Sequence, residues 1–292
     1  AIVVEAATGQ IVASRNASVT TRRPRPGWSE QDPAEWWTAT VDCLRQLREN
    51  LPEQLSTIAA VGFSGQMHGL VALDRHRAPL RPCILWNDQR SESECRWIED
   101  RVGREALIRL TGKPALCGYT APSLVWIRNN EPEIYSRIRA VLLPKDYLRL
   151  CLGGSCGQDV TDASGTGFLD LGRRRWSTTV LSQLDIDAGL LPRLHESTEV
   201  AGSVSVAAAD ATGLPPGIPL VAGAGDQAAG GLACGVQDSS VSSVNLGTSG
   251  VVFAASPGCP HDPEGILHGF CHVAPETWHV MGVMLSAGGA LK

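Results

Sequence analysis

Asp226 sits inside the run Val221-Ala-Gly-Ala-Gly-Asp-Gln-Ala-Ala-Gly230. An apolar segment enters a glycine-rich bend that presents one carboxylate, and a helix of small residues follows. Further on, Asn245-Leu-Gly-Thr-Ser-Gly250 makes a second strand-to-glycine transition, this time carrying the hydroxyls of Thr248 and Ser249. Glycine lets backbone N–H groups approach a phosphate closely, and hydroxyls add donors without a charged side chain. One turn bearing an acid and another bearing hydroxyls suit phosphoryl transfer. The loose transition state of that reaction asks for positioning and charge neutralisation more than for a strong base. A carboxylate against the attacking hydroxyl orients it early and takes its proton late. The structural alternative is that Asp226 only caps the helix that follows it.

The elements that must hold these residues read as mixed strands and helices, an α/β architecture. Ile2–Glu5 and Ile11–Arg15 form a hairpin around Thr8-Gly9. After the proline-rich connector Arg23–Gly27, Asp32-Pro33 opens a helix to about Glu49. Ile58–Ser64 reads as a buried strand and Leu70–Asp74 as its continuation or hairpin partner, with the bend Gly65-Gln-Met-His-Gly69 between them. Helices follow over 91–101, 104–110, 121–130, 132–139 and 145–152. Val160–Asp170 reads as loop or strand, and short helices are expected at 181–184 and 206–212. From Pro219 the pattern is strand, turn, helix, strand, turn, strand.

Other side chains invite a chemical reading beside a plain one. His68 in Gln-Met-His-Gly is a satisfied structural histidine or a ligand. Met67 reads first as packing surface. Asp88 and Arg90 are spaced for an ion pair or a helix cap, Lys145-Asp146 for a helix cap, and Trp36-Trp37 for packing against the Trp28 segment.

The chain of 292 residues is long enough for one large domain or two. With 43% apolar and 19% charged residues the composition is that of a soluble globular protein. A net charge of -5 argues against a nucleic-acid surface, and Arg173-Arg174-Arg175 reads as a solvated turn. Nine cysteines, odd in number and without a C-x-x-C pair, fit reduced thiols in a cytoplasmic protein better than disulfides or zinc. Cys271 and His272 are adjacent, so in a strand they point apart and make no couple. No apolar run reaches the roughly 18 residues of a membrane span. The chain begins in an apolar strand and stops in an expected helix at Gly288–Lys292, so it reads as a piece of a longer protein.

Taken together, Gly65-Gln-Met-His-Gly69, Leu85-Trp-Asn-Asp-Gln-Arg90, Leu143-Pro-Lys-Asp-Tyr147 and Gly223–Gly230 resemble carbohydrate kinases of the FGGY type. Trp28–Pro33, Ser164-Gly-Thr166 and His268-Gly-Phe-Cys-His272 extend the likeness from about residue 2 to the last residue. Gln66-Met67-His68 points to the bacterial xylulokinases, since glycerol kinases carry Arg-Glu after the glutamine. The resemblance implies an actin-like (ribonuclease H-like) ATPase fold of two domains around a cleft. Residues 1–239 would form the sugar-binding domain and 240–292 the start of a truncated nucleotide-binding domain. It implies Asp226 as general base and Gln66, Met67, His68 and Gln227 at the sugar. Gly247, Thr248 and Ser249 would be the phosphate loop. The cofactors would be ATP and Mg²⁺, and the partners D-xylulose and ATP, with no resident metal ligand set, no nucleic acid and no membrane. A homodimer is compatible with this reading. The first phosphate loop of the family, Asp-x-Gly-Thr, is absent from these residues, which makes the piece alone an expected non-catalyst. Two alternatives stand beside a xylulokinase: a kinase for another ketose or polyol, and a non-catalytic sugar-binding protein of the same fold.

Overall fold

A computed structural model describes residues 1–247, 250–284 and 287–288. Thr248 and Ser249 lie outside the described residues, as does all but Gly288 of the helix expected at 288–292. The chain folds as the mixed α/β structure read from its sequence, with short sheets wrapped by helices.

The hairpin is strands Ile2–Val4 and Ile11–Ser14, antiparallel with a bulge. The helix Pro33–Asn50 starts where Asp32 accepts a hydrogen bond from Ala34 N, with proline at its first position. Its buried face, Trp36, Cys43 and Leu47, packs inward. The helices Glu92–Val102, Arg104–Thr111, Thr120–Asn130 and Pro144–Leu152 stand within two residues of their expected bounds. Gly112 and Gly153 end two of them in the left-handed conformation. The main core lies between these helices and the strand Val71–Leu73, around Leu70, Ile84, Leu124, Ile127 and Phe168.

The segment expected as a buried strand at 58–64 is different. Only Val61, bridged to Leu220, and Ser64–Gly65 pair, both parallel to the chain at 219–225. Ala59, Ala60 and Gly62 are exposed. These residues are small, and among the described residues the segment has a strand partner on one side only, so little apolar surface is buried there. Gly223 supplies the irregularity in this pairing. It sits at φ +81°, and a Cβ there would lie 2.3 Å from the Phe63 carbonyl oxygen.

Within 160–170 the structure places a helix, Val160–Ser164, where a loop or strand was expected. Asp159 causes it, accepting from the Thr161 N–H as an N-cap. Lys145 and Asp146 form no cap, because Leu143 holds the cap position of their helix. Trp36 and Trp37 do not pack on Trp28. Trp36 meets Tyr147 edge-on at 6.4 Å and donates to Gln31 Oε1, and Trp37 joins the cluster around Leu152 and Leu220. Trp28 packs instead on Trp126 at 5.3 Å under the Arg90 guanidinium. The last part of the described chain is a four-stranded antiparallel sheet over 242–284, laid against the helix Asp226–Ala233 through Phe253 and Gly231.

Candidate active site

Two parallel strands set the site. Ser64 pairs with Ala224 and Gly65 with Gly225, so Gln66-Met67-His68 and Asp226-Gln227 leave side by side from the carboxyl ends of paired strands. Open α/β sheets bind ligands at such ends. The two chains nearly touch, since a Cβ on Gly225 would lie 2.7 Å from Met67 Cγ. No other residue type lets Met67 and Asp226 come so near.

Asp226 opens its helix, but Gly225 occupies the cap position and no side chain caps that end. The helix-cap reading of Asp226 therefore fails. Its side chain is exposed at the strand ends, yet the surrounding protein displaces enough water to push the carboxyl above the ordinary range, against hydrogen bonds from Gln227 that pull it down.

His68 is held from three sides. Its backbone is left-handed at φ 70°, an arrangement that costs free energy for a residue with a Cβ. Thr120 Oγ1 donates to the His68 carbonyl at 2.8 Å, and the Tyr119 ring stacks on the imidazole at 3.9 Å. Nδ1 lies 2.7 Å from the Gly165 carbonyl oxygen, which can only accept. Nδ1 therefore carries the proton, and Nε2 is left as an acceptor in the neutral ring. Burial pushes this imidazole down to about 3, so it is neutral at pH 7. A neutral histidine can donate through one ring nitrogen and accept through the other; here only the accepting nitrogen is left.

Met67 is buried with Phe253, Phe270 and Val236 and acts as packing there. Gln66 Nε2 donates to Gln31 Oε1 at 3.0 Å, the same oxygen that takes the Trp36 indole N–H. Gln227 is half-buried next to Asp226. Gly247 is exposed at the end of strand Ser242–Leu246 and takes a hydrogen bond from Gly288 N at 3.0 Å.

Beneath the strand ends lies a buried ionic cluster that sequence reasoning missed. Lys145 Nζ sits 2.7 Å from Asp146 Oδ1, 2.7 Å from Asp159 Oδ1 and 3.2 Å from Asp162 Oδ2. Arg149 reaches Asp146 at 3.2 Å and donates to the carbonyls of Ala222 and Gly157. Burial pulls the Lys145 ammonium down, but the three carboxylates outweigh it and hold it above its ordinary value. Burial raises Asp146 and raises Asp162 well above the carboxylate range. Two cations face three carboxylates, and the surplus negative charge together with burial is what disfavours the charged form of Asp162. The cluster reaches the site through one hydroxyl: Thr161 Oγ1 donates to Asp159 Oδ2 at 2.6 Å and accepts from Gly225 N at 2.9 Å. The residue before Asp226 is thereby pinned.

A second missed group is Lys113. Its ammonium is fully buried, bonded to the carbonyls of Thr111 and Ser164 and set 4.1 Å above the Phe270 ring. Burial pushes it down to about 7. It fixes Ser164, the neighbour of the Gly165 that holds His68. Asp88 and Arg90 form the ion pair their spacing suggested, at 2.7 Å, and Asp88 also takes the Ser29 N–H. Cys271 and His272 point apart, with His272 Nε2 on the Val236 carbonyl at 2.8 Å. Arg174 of the basic run pairs with Glu196 and Arg173, although exposed, with Asp170 at 2.9 Å, while Arg175 is exposed.

Among the described residues no three His, Cys, Asp or Glu side chains assemble as a metal site, and no helix is long and apolar enough to cross a membrane. Residues 1–233 match the N-terminal domain of the FGGY family of carbohydrate kinases. A xylulose kinase of Escherichia coli K12 is 44% identical over 283 residues, 97% of this chain and 57% of that protein. A "xyloylose kinase" structure from Brucella ovis has a TM-score of 0.94 at 43% identity, with 99% of this chain and 59% of that one covered. A xylulose kinase structure from Rhodospirillum rubrum has a TM-score of 0.90 at 29% identity, with 97% and 58% covered. The chain thus spans less than two thirds of the relatives it matches. It belongs to the FGGY family of carbohydrate kinases.

Proposed function

We propose that the kinase containing this chain transfers the terminal phosphoryl group of ATP to the terminal hydroxyl of D-xylulose. The observation that carries this reading is the emergence of Asp226 and of Gln66-Met67-His68 from paired strand ends. One face of the site then accepts from the sugar through His68 Nε2, and the other presents a carboxylate to the attacking hydroxyl. Asp226 orients that hydroxyl and takes its proton as the O–P bond forms. Its raised carboxyl brings the base nearer to working pH. Asp159 and Thr161 keep Gly225, and hence Asp226, in place.

Gly247 is exposed and carries no side chain of its own to obstruct a phosphate, and in this reading the hydroxyls of Thr248 and Ser249 help to hold it. Mg²⁺ would arrive with the nucleotide and neutralise its phosphates. The described residues offer it no ready ligand set, and no step here runs through it. Residues 1–239 serve as the sugar domain in this reading and 240–292 as the beginning of the nucleotide domain.

The test is a sugar panel on the full-length kinase with coupled ADP detection. D-xylulose should give the highest kcat/KM, above L-ribulose, gluconate and glycerol. Equal or better turnover of glycerol sinks the assignment. The 292-residue chain by itself should bind D-xylulose weakly and release no ADP, because a donor that is not held cannot be positioned. Turnover by it at the rate of a full-length sugar kinase would show that the nucleotide site has been misplaced.

A further inference from the structure

We propose that Cys95 and Cys117 are a dithiol modification site whose oxidation by peroxide to a disulfide weakens sugar binding at the neighbouring His68. The regulatory half of this proposal rests on the sugar-site reading above. The dithiol half does not.

The two sulfurs are already in contact at 3.8 Å, from chain positions 22 residues apart. A disulfide needs about 2.05 Å between them, so an approach of about 2 Å closes the bond. Cys95 is buried in the helix Glu92–Val102, and Cys117 is half-buried in the segment between Gly112 and the helix Thr120–Asn130. An oxidant can therefore reach Cys117 first. The hydrogen bond from Cys95, joined by one from Ser91, pushes the Cys117 thiol down to about 7, against burial and against the Glu92 and Asp88 carboxylates. Cys95 is raised, chiefly as the donor in that same bond. One sulfur is set up to attack and the other to resolve.

The chemistry closes without further partners. The Cys117 thiolate attacks one peroxide oxygen; the S–O bond forms, the O–O bond breaks, and the departing oxygen leaves as water after taking a proton. Cys95 then gives up its proton and attacks the sulfenic sulfur. The S–S bond forms, the S–O bond breaks, and a second water leaves. Two thiols are oxidised and one hydrogen peroxide is reduced to two waters.

The closing motion has little room to dissipate. Gly118, next to Cys117, lies at φ +78°, and a Cβ there would sit 1.9 Å from the Trp86 carbonyl oxygen. Tyr119 follows at once, stacked on His68 at 3.9 Å. Pulling Cys117 toward the Cys95 helix drags the residue that walls His68, whose own backbone is already held left-handed.

Peroxide at a few equivalents, followed by non-reducing peptide mapping of the 292-residue chain, tests the site. The expected result is a Cys95–Cys117 cross-linked peptide that dithiothreitol removes. D-xylulose affinity by calorimetry should fall at least fivefold in step and return on reduction. Cys117→Ser should bind the sugar as the unmodified chain does and keep that affinity after peroxide. Cys234 and Cys259 are exposed, so Cys234→Ser/Cys259→Ser serves as the background that removes competing oxidation. Cross-linked peptide absent, or Cys117 carried to sulfinic acid without pairing, overturns the dithiol site. A full cross-link with unchanged sugar affinity overturns the control of binding. If the reduced chain binds no sugar, the sugar-site reading fails, and the cross-linked peptide alone decides the dithiol site.

Discussion

His68 shows how a single residue acquires a role from its surroundings. Its Nδ1–H is committed to the Gly165 carbonyl, so only Nε2 is left to accept. His68→Asn tolerates the left-handed backbone, and its amide N–H can replace Nδ1–H, but it is too short to place an acceptor where Nε2 stands and it loses the Tyr119 stack. Removing one such hydrogen bond costs about 1 kcal/mol, so the Kd for D-xylulose should rise about fivefold, with Tm little changed. Calorimetry decides it: an unaltered Kd in a folded variant takes His68 out of the site. His68 and Asp226 were legible as candidates, and only as candidates, because each sits in a short motif with glycine on either side. Tyr119 and Lys113 were not, because their roles exist only through contacts across long stretches of chain, such as the 51 residues from Lys113 to Ser164. No local spacing announces them.

At the scale of elements, the paired strands Ser64–Gly65 and Ala224–Gly225 rest on the Lys145 cluster. The ideal Cβ position of Gly65 lies 3.0 Å from Lys145 Cβ, so the cluster is directly under the site. Lys145→Met would leave Asp146 and Asp159 without their shared buried cation. Breaking a buried pair from one side costs about 3–5 kcal/mol, so the variant should lose that much stability in denaturant titration. A loss under 1 kcal/mol would mean the cluster holds nothing up. The helices were legible where caps and glycine stops bracket an apolar periodicity, as at Asp32 and Gly112. The helix Val160–Ser164 was not, because it has five residues, too few for a period to show. Its cause is the Asp159 cap, and Asp159 is equally engaged by Ser197 and Lys145 from afar.

The whole molecule should respond to acid through its buried imidazoles. Burial pushes His68 down to about 3, His268 to about 4, and His279 well below its ordinary value. Their folded pKa values lie below the unfolded value of about 6.5, so the unfolded chain takes up protons first as pH falls. The stability tied to neutral imidazoles is full above about pH 6.5 and is lost progressively below it. Asp146 and Asp162, raised in the fold, act with the opposite sign in the acid range and offset part of the loss. His279 is fully buried between Phe253 and Phe270, so His279→Leu isolates one contribution. Its Tm should drop less than that of the unaltered chain between pH 7 and pH 5. Equal drops would show that His279 does not couple folding to acid. The α/β class was legible from the order of the elements. The placement of the 242–284 sheet against the segment that follows the Ser64–Gly65 strand was not, since Phe270 and Met67 meet only in the folded chain.

The central claim is that Asp226 acts on the sugar hydroxyl and does not merely begin a helix. The most direct measurement is the steady-state kinetics of Asp226→Ala in the full-length kinase, with D-xylulose and coupled ADP detection. Loss of a positioned acid–base group costs on the order of 10²–10⁴ in kcat. The expected result is a fall of that size with the KM for sugar changed far less and the Tm preserved. A folded variant that keeps near-wild-type kcat would contradict the account and reduce Asp226 to part of the fold.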